Sequence, residues 1–394
     1  MLSLTKNKSI VGLDIEVGSV AATELRVNGS VEVVGHGVVP LDPGAVREGE
    51  VADPEALAEA LKELFSEHKL SRNVRLGIAN QRVAVRTLRL PALDDDELET
   101  AIRFQAQDHI PMPLEQAVLD WQVVGHVNGE SGQRQVDVVA VAARRDMLTA
   151  VMDALRKAGL RPAGIDHSAF GMIRALSGAE MTAVGASEYV SAPAGAPAYA
   201  DTPVQAPADA GAHAAVAVAE APTTVAAAPP AAAKLYCNLA DVTNLAVAHD
   251  GACRFTRISA FGIEGIAQKL AERCQLTLEH SRQWLVHVGL ADELDRIDGD
   301  PETVAAAREA LTEGAGKLAD ELRVSLEFYG AQEEAIPVEG IVACGPGTII
   351  PGLPEHLQSA LGRPFEIGRP RGLAGFDDAT AARLTLAYGL ARES

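Results

Sequence analysis

Along the chain, short apolar runs bounded by turn residues alternate with stretches whose apolar positions recur every three or four residues. Near the start, Ile10-Val-Gly-Leu-Asp14-Ile reads as a buried strand, the turn Glu16-Val-Gly18-Ser19 follows, and Val20 to Val27 reads as a second strand. Asn28-Gly29 then closes a hairpin onto Val31 to Val34. The same plan returns later: Leu235 to Leu239, the turn Ala240-Asp241-Val242-Thr243, a strand from Leu245 to Ala248, Asp250-Gly251, and Ala252 to Ile258. Asp14 and Asn238 are 224 positions apart, and Asn28 and Asp250 are 222 apart. A register kept within two residues over a whole hairpin points to a duplication, hence to two similar halves facing a cleft.

Helices are expected between these strands. Asp53-Pro54 is an N-cap with a first-turn proline, and Leu57, Ala60, Leu61 and Leu64 form the apolar stripe behind it. Asp146 precedes a stripe of Leu148, Val151, Met152 and Leu155 that ends at Gly159 and Pro162. Leu98, Ile102, Ala106 and Ile110 recur every four residues behind Asp94-Asp95-Asp96, carboxylates that a helix start favours. Glu264 to Cys274 and Pro301 to Tyr329 read as helices, and Gly340 to Gly345 as a strand entering a glycine turn. The class is α/β with mixed sheets.

Composition changes the picture in three places. From about Met181 to Ala233 the chain is rich in Ala and Pro and nearly without Leu, Ile or Phe, so this stretch reads as a flexible link between folded parts. The chain as a whole, at 394 residues and 47% hydrophobic, is ample for a large core. A net charge of -20 disfavours nucleic acid and anionic lipid, and the absence of a long uncharged apolar run or signal-peptide pattern makes direct membrane insertion unexpected and the cytoplasm the default. Cys237, Cys253, Cys274 and Cys344 lack zinc or disulfide spacing and read as small apolar residues. Gly314-Ala-Gly316-Lys317 imitates a phosphate loop but lacks its Ser or Thr, and His280 and His287 lack ligand spacing, so neither marks a site.

The paired hairpins resemble the actin-like superfamily, in which the first turn of each half holds nucleotide phosphates through backbone N–H groups. The resemblance implies a duplicated actin-like (ribonuclease H-like) fold with a central cleft and ATP with Mg as the possible cofactor. It places Asp14 at the position that reaches the metal through water, Gly18 and Ser19 in the first phosphate loop, and Asn238, Thr243 and Asn244 in the second. Gly345 and Gly347, in Gly345-Pro-Gly-Thr-Ile-Ile-Pro-Gly-Leu353, fall in the adenosine motif.

A closer resemblance lies in Arg86-Thr-Leu-Arg-Leu-Pro91, Glu97 to Ala106, His109-Ile-Pro111-Met-Pro113, Val118-Leu-Asp120-Trp121 and Ala158 to Asp166, which are similar to the type IV pilus assembly PilM family. That resemblance implies a cytoplasmic scaffold at the inner face of the membrane. It would bind the N-terminal cytoplasmic tail of a PilN-type inner-membrane protein and contact other pilus-motor components. An inserted α/β subdomain at about 86–165 would form part of the peptide groove. The implied layout is an actin-like domain over 1–181, the link over 182–233 and a second actin-like domain over 234–394. An active ATPase or kinase and an FtsA-like division scaffold are the other readings. Several positions depart from the family: Glu16 replaces a small glycine, Ala21 a lysine, Asn238-Leu239-Ala240 an Asp-Ile-Gly, and Pro346 a glycine. These changes predict weak nucleotide binding and no useful hydrolysis, so neither a catalytic residue nor a metal ligand is assigned.

Overall fold

A computed structural model describes residues 9–28, 30–128, 133–178, 181–184, 232–332 and 335–392. The Gly29 of the expected hairpin turn and most of the Ala/Pro segment lie outside the described residues. The first half runs β1 (Ser9–Ile15), β2 (Ser19–Val27), β3 (Val31–Pro40), the short β4 (Val46–Arg47) and β5 (Glu50–Val51), α1 (Pro54–Glu67), β6 (Asn73–Ile78) and β7 (Val83–Pro91). It continues with α2 (Asp95–His109), β8 (Ala117–Asn128), β9 (Arg134–Arg144), α3 (Arg145–Lys157), β10 (Arg161–His167) and α4 (Ser168–Leu176). The second half runs β11 (Met181–Val184), β12 (Ala233–Leu239), β13 (Thr243–His249), β14 (Ala252–Ser259), α5 (Ile263–Cys274) and α6 (Leu278–Val288). Then come α7 (Pro301–Gly330), β15 (Val338–Cys344), α8 (Leu353–Leu361), β16 (Phe365–Pro370) and α9 (Asp378–Ala391).

The strands form a sheet of order β10-β6-β1-β2-β3, a second of order β11-β16-β15-β12-β13-β14, and a smaller third, β7-β9-β8. In the first, β1 is antiparallel to β2 and parallel to β6. In the second, β12 is antiparallel to β13 and parallel to β15. Each half therefore carries one hairpin beside one parallel strand, which is the expected duplication. The hairpin turns are tighter than the sequence suggested. Ser19 already begins β2, and Thr243 and Asn244 begin β13, where Asn244 pairs with Asn238.

Local chemistry explains the helices. The Asp53 carboxylate accepts the N–H groups of Glu55 and Ala56 at 3.0 and 3.1 Å, and Asp94 accepts that of Glu97 at 3.0 Å, so both act as caps. On α2, Leu98, Ile102 and Ala106 are buried against the third sheet as their spacing predicts. One boundary differs. α3 starts at Arg145, so Asp146 lies inside its first turn and pairs with Arg144 instead of preceding the helix.

Between the two large sheets lies a layer made of α4 and α9. Met172, Ile173 and Leu176 of α4 share one core with Leu384, Ala387 and Tyr388 of α9, with Leu25 of the first sheet and with Tyr236 and Val342 of the second. The approach is close enough to require glycine. A Cβ on Gly12 would run into the Ala387 carbonyl, and one on Gly389 into the Gly171 carbonyl. Replacing Gly389 by Val should therefore cost about 1–3 kcal/mol or more through overpacking. Ala at Gly316, where no neighbour lies within 4 Å, should be neutral or slightly stabilising. Urea denaturation midpoints check both; an unmoved midpoint for Gly389→Val would contradict the tight α4–α9 packing.

Candidate functional site

The two hairpin turns meet. Glu16–Gly18 on the first half faces Ala240–Val242 on the second, and the Gly18 N–H donates to the Asp241 carboxylate at 2.8 Å. Arg282 of α6 also comes from the second half and is held by Glu264 of α5 at 2.6 and 3.0 Å. Its guanidinium packs so closely on Gly18 that any Cβ there would collide with it. Arg383 of α9 donates to the Ser19 hydroxyl at 3.2 Å.

The cavity remaining between the turns is lined by Asp14, Glu16, Asn238, Asp241 and Asn244 among others and is ≈ 20 Å³, about the room of one water. The Asn238 amide reaches toward Glu16 at 3.5 Å and accepts from the Cys344 thiol at 3.6 Å. Asn244 is buried in the wall, with both amide atoms lacking a hydrogen-bond partner. Thr243 is spent on the fold, its hydroxyl donating to the Phe261 carbonyl at 2.8 Å. Gly345, at φ +89°, backs against the Asn238 side chain, and Gly347 packs on Leu239 and Ile263.

Of the residues singled out by sequence, Asp14, Asn238 and Asn244 thus share one cavity, and Gly18 and Ser19 lie on its rim. Thr243, Gly345 and Gly347 support the wall behind it. Asp241, Glu264, Arg282 and Arg383 were not singled out. Asp241 stood in the second turn and could have been weighed as a carboxylate facing the first. The other three lie on helices with no local signal of where they point.

The electrostatics are acidic, with four carboxyl groups against two guanidinium groups. Burial, with repulsion from Asp241, pushes the Asp14 carboxyl up to about 7. Glu16 is raised well above the ordinary glutamate range, first by burial and then by Asp241 and Asp14, against the pull of Arg383 and the Asn238 amide. Glu264 is raised by burial and Asp241, with Arg282 opposing. The Gly18 N–H and the space over that glycine are taken by the protein's own Asp241 and Arg282 side chains. Among the described residues, no group of three or more His, Cys, Asp or Glu is placed to hold a metal ion.

A second concavity lies where the third sheet joins the rest. Asn80, Val83–Arg86, Pro111, His167 and Thr256–Ile258 line a cavity of ≈ 190 Å³. His167 is kept neutral there: burial lowers it to about 4, and its Nδ1 accepts the Ala169 N–H at 3.1 Å, which leaves Nε2 protonated.

Two hairpin-led halves closing on a cleft give the chain the actin-like fold anticipated from its sequence. Residues 12–188 match the family model for "Type IV pilus assembly protein PilM", and this bears out the PilM resemblance. The fold agrees: a chain of the "PilM-PilN type IV pilus biogenesis complex" superposes with a TM-score of 0.70 at 23% identity, covering 97% of each chain. The ethanolamine utilization protein EutJ from Carboxydothermus hydrogenoformans is similar at TM-score 0.50 and 12% identity, over 98% of this chain and 89% of its own.

The raised Asp14 makes a signed prediction. Its folded-state affinity for a proton exceeds the unfolded one, so from about pH 4 to about pH 7 the folded state holds more protons and stability drains away as pH rises. Asp14→Asn removes that penalty. The melting temperature of the variant relative to the parent should climb from about pH 4 to about pH 7 and level off above it; a flat difference would mean that Asp14 titrates normally.

Proposed function

We propose that this protein is a non-catalytic, actin-like scaffold of type IV pilus assembly, holding the N-terminal cytoplasmic tail of a PilN-type inner-membrane protein. The observation that carries the reading is the Gly18 N–H given to Asp241, the protein's own anion, in a chain that otherwise keeps PilM sequence and fold. An actin-like ATPase or kinase turns over by presenting open backbone donors and a metal to the transferring phosphate. Here Asp241 would repel that phosphate, the buried Glu16 side chain crowds its approach, and Asn238 stands where a carboxylate would handle the metal. This disfavours both an active ATPase or kinase and ATP with Mg as a working cofactor.

We place the tail in the cavity between the third sheet and Asn80, Pro111 and His167, where an extended peptide finds the His167 imidazole N–H and the β7 edge as hydrogen-bonding partners. Among the described residues no helix is long and apolar enough to cross a membrane. Recruitment to the inner face of the cytoplasmic membrane then runs through the partner, and other pilus-motor components would assemble on the same scaffold. We read 1–181 and 234–394 as the two actin-like domains and 182–233 as the link; an FtsA-like division role has no separate observation in its favour.

Two titrations check this. Calorimetry with Mg-ATP should give a dissociation constant weaker than about 1 μM, if heat is seen at all; submicromolar binding would overturn the closed-cleft reading. A synthetic peptide copying the cytoplasmic tail of a PilN-type protein encoded beside this gene should raise the melting temperature by a few degrees when saturating. Absence of any shift with folded protein would remove the partner assignment.

A further inference from the structure

Two outer strands border the same gap. β14 ends the second large sheet and β7 is an edge of the third. Between Val85–Thr87 of β7, Cys253–Arg257 of β14, Phe328 of α7 and Gln332 just beyond it lies a groove of ≈ 600 Å³. An edge strand leaves alternate N–H and C=O groups without a ladder partner. Here side chains stand in for a missing strand: Gln81 donates to the Ile258 carbonyl at 3.4 Å, and Arg86 covers the Val85 carbonyl at 2.8 Å. Since Ile258 points its carbonyl away from β13, the two-residue alternation directs the backbone groups of Thr256 the same way.

The side chains of the groove are unusual for a chain of net charge -20. The β13–β14 register jumps from Val247↔Phe255 to Ala248↔Cys253, leaving Arg254 as a bulge residue without an opposite number. Its terminal nitrogen bonds Asp137 of β9 at 3.2 Å, but its Nε is buried and has no acceptor. Arg257 is paired to Glu321 at 3.3 Å, and Asp137 is shared with Arg89 at 2.8 Å. Around the groove four guanidinium groups (Arg86, Arg89, Arg254, Arg257) face two carboxylates (Asp137, Glu321). Beside them Phe328 is 61% exposed, with Val324 one turn earlier at 49%, and Phe255 lies 5.9 Å from the Phe328 ring.

We propose that this groove docks an extended acidic peptide segment of a partner protein. The segment adds as a strand to the β14 edge at Cys253–Thr256, draws the Arg254 guanidinium, whose buried Nε has no acceptor, onto a carboxylate, and lays an apolar side chain on Phe255 and Phe328. Charge complementarity selects this occupant, because a basic segment would meet the arginines. The groove shares Val85, Arg86, Thr256 and Arg257 with the smaller cavity proposed for the PilN-type tail, but Cys253, Arg254, Phe255 and Phe328 belong to the groove alone. The inference therefore goes beyond the tail site and does not depend on it.

The test uses the full chain and a fluorescein-labelled peptide, acetyl-Glu-Val-Glu-Phe-Glu-Val-amide, with a Lys-for-Glu version as control. The acidic peptide should bind, more weakly as salt is raised, and the lysine version should not. Arg254→Gln and, separately, the exposed Phe328→Ala should each weaken binding by roughly tenfold, a loss of about 1.4 kcal/mol. An excess of unlabelled PilN-type tail peptide should leave the acidic peptide bound. No binding of the acidic peptide, equal binding of both peptides, or full affinity in both variants would overturn the proposal. Displacement by the tail would merge the groove with the tail site and overturn its independence.

Discussion

The contact on which the rest depends is the near-touching of α4 and α9 between the two large sheets. Side chains cannot keep two helices that close: at Gly171 and Gly389, and where α9 lies on Gly12 of β1, backbone meets backbone. That packing fixes the distance between sheets, and the sheets carry the hairpins, so it also fixes how near the two turns come. Arg383 reaches Ser19 from α9 itself. Arg75 of β6 ties back to the far end of that helix, donating to the Arg392 carbonyl at 2.7 Å. The geometry of the cleft thus follows from the helix layer, with the turns adapting to it.

The fold was legible because its signals are local and repeated. Asp53-Pro54, the four-residue spacing from Leu98 to Ile110 and the two hairpins in nearly the same register each report on neighbours close in sequence. The cleft was only half legible. Glu16 and Asn238 could be recognised as departures from the phosphate-loop pattern from residue type alone. The bond from Gly18 to Asp241 joins residues 223 positions apart, and the partners of Arg282 and Arg383 are set by which helix face meets the turn. Asn244 was expected in a loop yet lies in a strand, because the β12–β13 pairing continues through Asn238↔Asn244 to Leu239↔Thr243. The groove beside β14 carries even less sequence signal: nothing local reveals that β7 and β14 are both edges, or that a bulge turns Arg254 toward Asp137.

A cleft bridged by a ligand holds its halves together only while the ligand stays. In this protein the bridging anion is covalently part of the chain, and a second cross-link, Arg282 held by Glu264, lies against the same glycine. Ordering an internal carboxylate costs no translational entropy at each closure, whereas a bound nucleotide must offset that cost every time. The opposing cost is electrostatic, since Asp14, Glu16 and Asp241 crowd one small cavity; it is relieved by retaining protons, which is why Asp14 and Glu16 are pushed toward their neutral forms. The scaffold role proposed for this protein would gain from this exchange. The third sheet is held to the second half through Asp137 and Arg254, so the spacing of the strands around its cavities depends on the closed arrangement persisting, and here closure is supplied by residues that cannot dissociate.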